Sequence, residues 1–385
     1  MKPKVLLFID WFLPGHKAGG PVTSNANMVD HLRKDVDFFI ITRDTDYCEA
    51  IPYSSVKSNQ WVVFKEGVSV FYFSKDYLSI ANLKKIATES GCNHWYINGI
   101  YSLYFSILPL ILSRHFDGIQ TTVSARGMLS PHALAVKPFK KKMLLWFFKL
   151  IGLYRNVCFH ATNYAEGVQI EKQVGVSKGI LIAPNLSKPL SFNKPKSFVK
   201  NRGALRLVSL ARISPEKNTL GGLELLTNCP NYTIQFDLYG QLYDEEYMKK
   251  CEEVIKKLPG NIEANFHGSI SPEEIASVLQ HSHFLLMPTQ GENFGHSILE
   301  SLLGGCPVII SDQTPWRGLE EKGIGWDIPL SEPEKFIKAI ETAAAMDQET
   351  YNQMSQAAFE FAKAFTNNPE VLEANRKLFG IESGE

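Results

Sequence analysis

Short apolar runs alternate along this chain with stretches whose apolar residues recur at helical spacing. Residues 5–9 are continuously apolar, as in a parallel strand covered on both faces. The loop that follows holds Pro14, Gly15, Gly19 and Gly20, and Thr23 or Ser24 is placed to cap a helix carrying Met28, Val29 and Leu32. The pattern then predicts strands at 38–42, 61–64, 68–73, 95–97 and 119–123, and helices at 83–87 and 101–112. Residues 187–203 (SKPLSFNKPKSFVKNRG) break the rhythm with Pro, Ser and Lys, which marks a linker.

After the linker the alternation restarts. Strands are predicted at 205–210, 232–239 and 262–266, and helices at 220–226 and 247–258. A further helix is expected at 272–280, with Ser271 as N-cap and Glu274 three residues on. Residues 288–311 (PTQGENFGHSILESLLGGCPVIIS) read as a loop, a short helix and a buried strand; helices follow at 333–365 and 369–379. The two halves are two copies of one α/β architecture: 1–186, the linker 187–203, and 204–365.

A chain of 385 residues with 44% hydrophobic and 21% charged content has core enough for two such domains. Lys+Arg and Asp+Glu both number 40, so overall charge gives no case for nucleic acid, and an anionic ligand must be met by local clusters. The six cysteines are scattered without zinc spacing, as in a reducing compartment. With no secretory signal and no run of about 18 apolar residues, the expectation is a cytoplasmic protein. Residues 137–155 (KPFKKKMLLWFFKLIGLYR) admit two readings: a helix lying on anionic lipid at the inner membrane face, or a core helix with a solvated, lysine-rich first turn.

Four places can carry chemistry. Gly19 and Gly20 let backbone approach a ligand at a helix start, or simply make a tight turn. Arg126 stands in the loop after a predicted strand, where open parallel sheets bind ligands, or is a plain surface arginine. Arg212 and Lys217 flank a Pro-containing loop and are suited to two phosphates, Arg as a fixed fork of donors and Lys as a mobile point charge. Glu292 lies at a helix mouth and Glu300 within the helix; eight helical residues rise about 12 Å, the reach from the sugar to the ribose of a nucleotide-sugar. Asp44 and Asp46 have Asp-x-Asp spacing but no supporting acidic cluster, so no metal site is expected. The fingerprint G-x-G-x-x-G is missing, which disfavours a dehydrogenase.

The glycine loop at 14–20, the segment ARISPEKN (211–218) and the E-x7-E motif in GENFGHSILES together resemble the family-4 retaining glycosyltransferases, over nearly the whole chain. The stretch SARGMLSPHAL and the Lys-rich helix after it resemble a subgroup of bacterial surface-polysaccharide assembly. The resemblance implies the GT-B fold, two Rossmann-like domains facing each other across a cleft, with 366–385 packing back on the first. It implies transfer of a hexose-type sugar from a nucleotide-diphosphate sugar, the co-substrate, to a glycan or lipid-linked acceptor, with no cofactor and no metal. Glu300 would bind the ribose hydroxyls and Glu292 the sugar hydroxyls or the reacting carbon. Asn293, Phe294 and Gly295 would contact sugar or diphosphate, the last two through backbone amides. Arg212 and Lys217 would hold the phosphates, and Gly19 and Gly20 would approach the diphosphate from the other domain. Arg126 falls near where many relatives carry a histidine. No protein nucleophile is implied, though Glu292 is a candidate for one. An epimerase or hydrolase of the same architecture, and a non-catalytic nucleotide-binding protein, are the competing readings.

Overall fold

The computed structural model of the protein describes residues 2–135, 138–175, 177–187, 198–271 and 273–381, without the side chain of His132. It divides into two units, Met1–Lys188 with Asn368–Glu385, and Pro189–Asn367. Each is a Rossmann-like α/β unit, as the periodicity predicts.

The strands of the first unit are β1 (Lys4–Phe8), β2 (Asp37–Arg43), β3 (Trp61–Lys65), β4 (Val68–Phe73), β5 (His94–Asn98), β6 (Gln120–Ser124), β7 (Val157–Ala161) and β8 (Gly179–Ile182). They form one sheet in the order β3-β4-β2-β1-β5-β6-β7-β8. Only β3 runs antiparallel to its neighbour. The helices are α1 (Gly20–Leu32), α2 (Ile80–Glu89), α3 (Leu108–Ser113), α4 (Pro131–Ala135), α5 (Pro138–Leu150) and α6 (Tyr164–Val174). Val5 and Leu7 of β1 pack with Met28, Val29 and Leu32 of α1, while Leu6 and Phe8 join Leu83 and Ile86 of α2 on the opposite face. Alternate side chains thus enter two separate cores, which is why the run is apolar without a break.

The second unit comprises β9 (Ala204–Leu210), α7 (Thr219–Leu226), β10 (Thr233–Tyr239), α8 (Glu245–Ile255), β11 (Ile262–Gly268), α9 (Ile275–Gln280), β12 (Phe284–Met287), α10 (His296–Leu303), β13 (Val308–Ser311), β14 (Gly325–Ile328), α11 (Pro333–Ala345) and α12 (Gln348–Thr366). Its sheet is parallel throughout, in the order β11-β10-β9-β12-β13-β14. The final helix, α13 (Pro369–Lys377), packs on the first unit. Arg376 donates two hydrogen bonds to Asp35 (3.0 and 2.9 Å), Asn375 donates to the Pro184 carbonyl (2.8 Å), and Phe379 packs edge-on against Phe38.

Several local expectations need correction. Helix α1 starts at Gly20 and not beside Thr23 or Ser24, because Gly19 takes a left-handed backbone (φ 71°) that turns the chain into the helix with no side-chain cap. The expected helix at 101–112 is a π-helical turn, Leu103–Ile107, running into α3; Ser102 caps the turn by accepting from the Phe105 amide. Helix α9 starts only at Ile275, so Ser271 is not its N-cap, yet the Glu274 carboxylate accepts from the Ser271 amide (3.1 Å), which is the reciprocal half of the expected capping box. The expected linker 187–203 lies in part outside the described residues, and its end is anchored. Lys200 there is buried and donates to the Asn201, Ala344 and Met346 carbonyls, the last two at the end of α11.

Three buried histidines are held in the neutral form. Burial lowers His94 to about 4 and His283 to about 4; burial, with the Arg126 charge second, lowers His160 to about 3. The unfolded chain therefore binds more protons than the folded one as pH drops below about 6.5. Stability is fully present above that pH and is lost on acidification toward 4. Urea midpoints measured across this window should fall. A His283→Gln variant, which keeps a donor for the Val199 carbonyl and an acceptor for the Arg206 amide, should lose less in the second unit.

Candidate functional site

In the second unit the strand order reverses between β9 and β12, which are neighbours. Ligands of open parallel sheets bind outside the carboxyl ends of such a pair. The loop after β9 carries Arg212, Lys217 and Asn218, and the loop after β12 carries Glu292, Asn293, Phe294 and Gly295. The two loops are tied together. The Gln290 amide donates to the Glu216 carbonyl (2.8 Å) and the Thr289 hydroxyl to the same oxygen (3.2 Å). Lys217 Nζ then reaches Glu292 Oε1 at 2.5 Å, and both side chains are largely shielded from water. Arg212 Nη2 donates to Glu216 Oε2 at 3.1 Å in a more exposed pair.

Close approach of backbone shapes this edge. A Cβ on Gly240, at the end of β10, would stand 1.8 Å from the Ala211 carbonyl oxygen, so only glycine lets the strand end lie against the Arg212 loop. The β12 loop is held from behind: Ser311 Oγ donates to the Thr289 carbonyl (2.5 Å) and the Glu292 amide to the Gln313 carbonyl (3.0 Å). The Phe294 ring is buried against Trp316 and Phe365, and Trp316 Nε1 donates to its carbonyl (2.5 Å). Its side chain is thus a wedge in the core, and only backbone is left at the loop.

Helix α10 opens on Gly295, left-handed (φ 80°) and without a side-chain cap. The first amides of a helix lack intrahelical partners and favour an anion. Glu292 precedes the helix, so the E-x7-E spacing is not a helical rise as expected. Only residues 296–300 are helical, about 6 Å of axis to the half-buried Glu300.

Gly19 and Gly20 lie in the first unit at the start of α1, and a Cβ on either would meet nothing within 4 Å. The loop before them is shaped by Asp46, whose carboxylate accepts from the amides of His16 (3.0 Å), Lys17 (3.3 Å) and Tyr47 (2.7 Å). Asp44 accepts from Ser58 (2.8 Å). Arg126 follows β6 in left-handed backbone (φ 51°) and is not a surface arginine. Its guanidinium donates to Asn98 Oδ1 (3.0 Å), Asn185 Oδ1 (2.5 Å), Tyr96 OH (3.1 Å) and Asn25 Oδ1 (3.5 Å). Tyr96 OH in turn meets His160 Nδ1 (2.6 Å), and the next residue, Gly127, donates its amide to buried Glu166 (2.7 Å). Arg126 thus gathers the ends of β5, β6 and β8 and the start of α1.

One group escaped the sequence reading. The first unit reverses strand order between β1 and β5, and a cavity of about 210 Å³ opens at their carboxyl ends. It is lined by Asp10, Gly99, Tyr101, Ser102, Met128 and Lys141. Burial raises the Asp10 carboxyl above its usual range, partly countered by a hydrogen bond from Ser102 (2.8 Å) and the charge of Arg43. The visible signal was an acid directly after the first apolar run; the partner loop was not legible.

Residues 191–361 match the family model described as glycosyl transferases group 1. No curated protein sequence matches the chain. Among solved structures, sucrose-phosphate synthase from Thermosynechococcus elongatus is 16% identical with TM-score 0.72, covering 98% of both chains. HepE from Anabaena, solved with UDP and glucose, is 15% identical with TM-score 0.68 and 98% of both chains. WaaG, described as a glycosyltransferase involved in lipopolysaccharide biosynthesis, is 12% identical with TM-score 0.64, covering 99% of this chain and 100% of its own. At these identities the likeness establishes the fold, the two Rossmann-like units of GT-B glycosyltransferases.

Two glycines of this edge should respond in opposite directions. Gly295→Ala forces φ 80° on a residue whose Cβ would lie 2.8 Å from Ile298 Cδ1, and should cost about 1–3 kcal/mol in urea unfolding. Gly222→Ala, within α7 and with its nearest neighbour Pro288 at 3.5 Å, should gain about 0.5–1 kcal/mol.

Proposed function

We propose that this chain is a retaining glycosyltransferase that moves a hexose-type sugar from a nucleotide-diphosphate donor to a glycan or lipid-linked acceptor in polysaccharide assembly. The observation that carries the reading is the Lys217–Glu292 pair, one member from each loop at the strand-order reversal, beside a helix start with no side-chain cap. The family match over 191–361 spans these residues and supports it. Because HepE was solved with UDP, uracil is the first base to test.

In this reading the α10 amides and the Lys217 ammonium meet the diphosphate, and Arg212 adds a second cation, so fixed charge of the protein supplies what a metal ion supplies elsewhere. Glu300 takes the ribose hydroxyls. Glu292, held by Lys217, accepts from the sugar hydroxyls. The bond from C1 to the phosphate oxygen breaks as the acceptor oxygen bonds to C1 on the same face. The departing phosphate oxygen takes the acceptor proton. This route retains configuration and leaves Glu292 as a positioning group.

A thermal-shift panel of UDP-, GDP- and ADP-sugars tests donor binding. The right donor at a hundredfold excess over Kd should stabilise by about 2.7 kcal/mol, and silence from every nucleotide would refute the reading. Glu292→Gln and Lys217→Ala should each lower kcat on the order of a hundredfold, with the product anomer in the wild type matching the donor by NMR and a chelator leaving the rate unchanged. Donor loss without a glycoside would favour an epimerase or hydrolase instead.

A further inference from the structure

We propose that the outward face of α5 docks the protein on an anionic lipid surface. Helical spacing puts Phe139, Met143, Trp146 and Leu150 in one stripe, with Phe147 at its edge. Their exposures are 78%, 55%, 63% and 67%, with 48% for Phe147. The opposite side of the same helix is already used, since Leu145 and Phe148 are buried in the core of the unit. A helix with large apolar residues on two opposite sides is ordinarily covered on both, and this one is covered on one side. Scattered exposed apolar residues are common, but here six large ones fall between Phe139 and Ile151.

Charge selects the occupant. The whole chain is balanced, yet residues 118–165 contain no Asp or Glu and seven cations: Arg126, Lys137, Lys140, Lys141, Lys142, Lys149 and Arg155. Among the described residues, Lys140, Lys142 and Lys149 are exposed, flank the stripe, and take part in no ion pair. Their long stems can lie along apolar surface while the ammonium groups reach lipid phosphates. A second copy meeting the same face would set lysines against lysines. Aromatic rings between flanking cations suit the boundary between headgroups and acyl chains.

The fourth lysine of the helix turns the other way. Lys141 Nζ donates to the Ala133 carbonyl (2.5 Å), lies 5.4 Å from the centre of the Tyr101 ring, and lines the cavity that holds Asp10. The helix that meets the lipid therefore also walls this cavity. If the sugar-transfer reading holds, the acceptor is lipid-borne and arrives from the docked side. The docking itself rests on α5 and not on that reading.

The full-length chain should sediment with vesicles of phosphatidylcholine and phosphatidylglycerol, release at high salt, and bind phosphatidylcholine alone far more weakly. A Trp146→Ser/Leu150→Ser variant and a Lys140→Glu/Lys142→Glu/Lys149→Glu variant should each lose on the order of tenfold or more in partitioning. Because these side chains are exposed, circular dichroism, melting midpoint and donor thermal shift should match the wild type. Three results would overturn the proposal: no binding of the wild type to anionic vesicles, equal binding by the variants, or a dimer in light scattering that the serine variant abolishes. Donor binding without vesicle binding sinks the docking alone. Vesicle binding without any nucleotide response sinks the transferase reading alone.

Discussion

Each unit depends on one constraint of parallel sheets: two adjacent strands whose crossovers leave in opposite directions keep a crevice at their carboxyl ends. In the second unit these strands are β9 and β12, and in the first β1 and β5. Arg212, Lys217 and Glu292 stand at one crevice and Asp10 at the other, with the glycine loop leaving β1 beside it. The placement follows from strand order, which in turn rests on apolar runs long enough to be covered on both faces.

Charges at the second-unit crevice are arranged to hold shape without an excess of either sign. Two cations and two carboxylates, Arg212 with Glu216 and Lys217 with Glu292, join residues that are distant along the chain or a helical turn apart. The shielded Lys217–Glu292 pair sets the two loops in register, whereas the more exposed Arg212 pair is screened and worth little to stability. In the first unit, Arg126 is satisfied by neutral acceptors, and the buried Glu166 carboxylate is bonded to the amides of Gly127 and Thr162. That places Arg126 as a group that fixes loop ends.

The elements that were legible are those with local causes. Continuous apolar runs located β1, β2, β4, β5, β9 and β10 to within a residue or two, while the short strand β14 was not foreseen; the two-unit α/β class followed. Helix starts were less legible. The α1 and α10 N-termini are set by left-handed glycines, Gly19 and Gly295, while for α1 the sequence offered Thr23 or Ser24 as the usual cap. The motif E-x7-E marked the right crevice but suggested a longer helix than α10 provides. Asp46 was read only as a poor metal ligand; its work on the His16 and Lys17 amides depends on a contact across about 30 residues, for which spacing gives no sign.

Residues 137–155 show the same division. Their sequence holds both an apolar period and a lysine cluster, and left open which side of the helix would be covered. Packing decided it, burying Leu145 and Phe148 and leaving Trp146 and Leu150 outside. By itself the sequence determined the strands, the repeat of one α/β architecture and the residue types able to meet a phosphate or a sugar, because these depend on periodicity and chemistry carried by neighbours in the chain. Only the tertiary structure decided which loops meet, which way Lys141 and Arg126 turn, and why Gly240 admits no side chain, because those depend on groups brought together by strand order and packed at atomic contact.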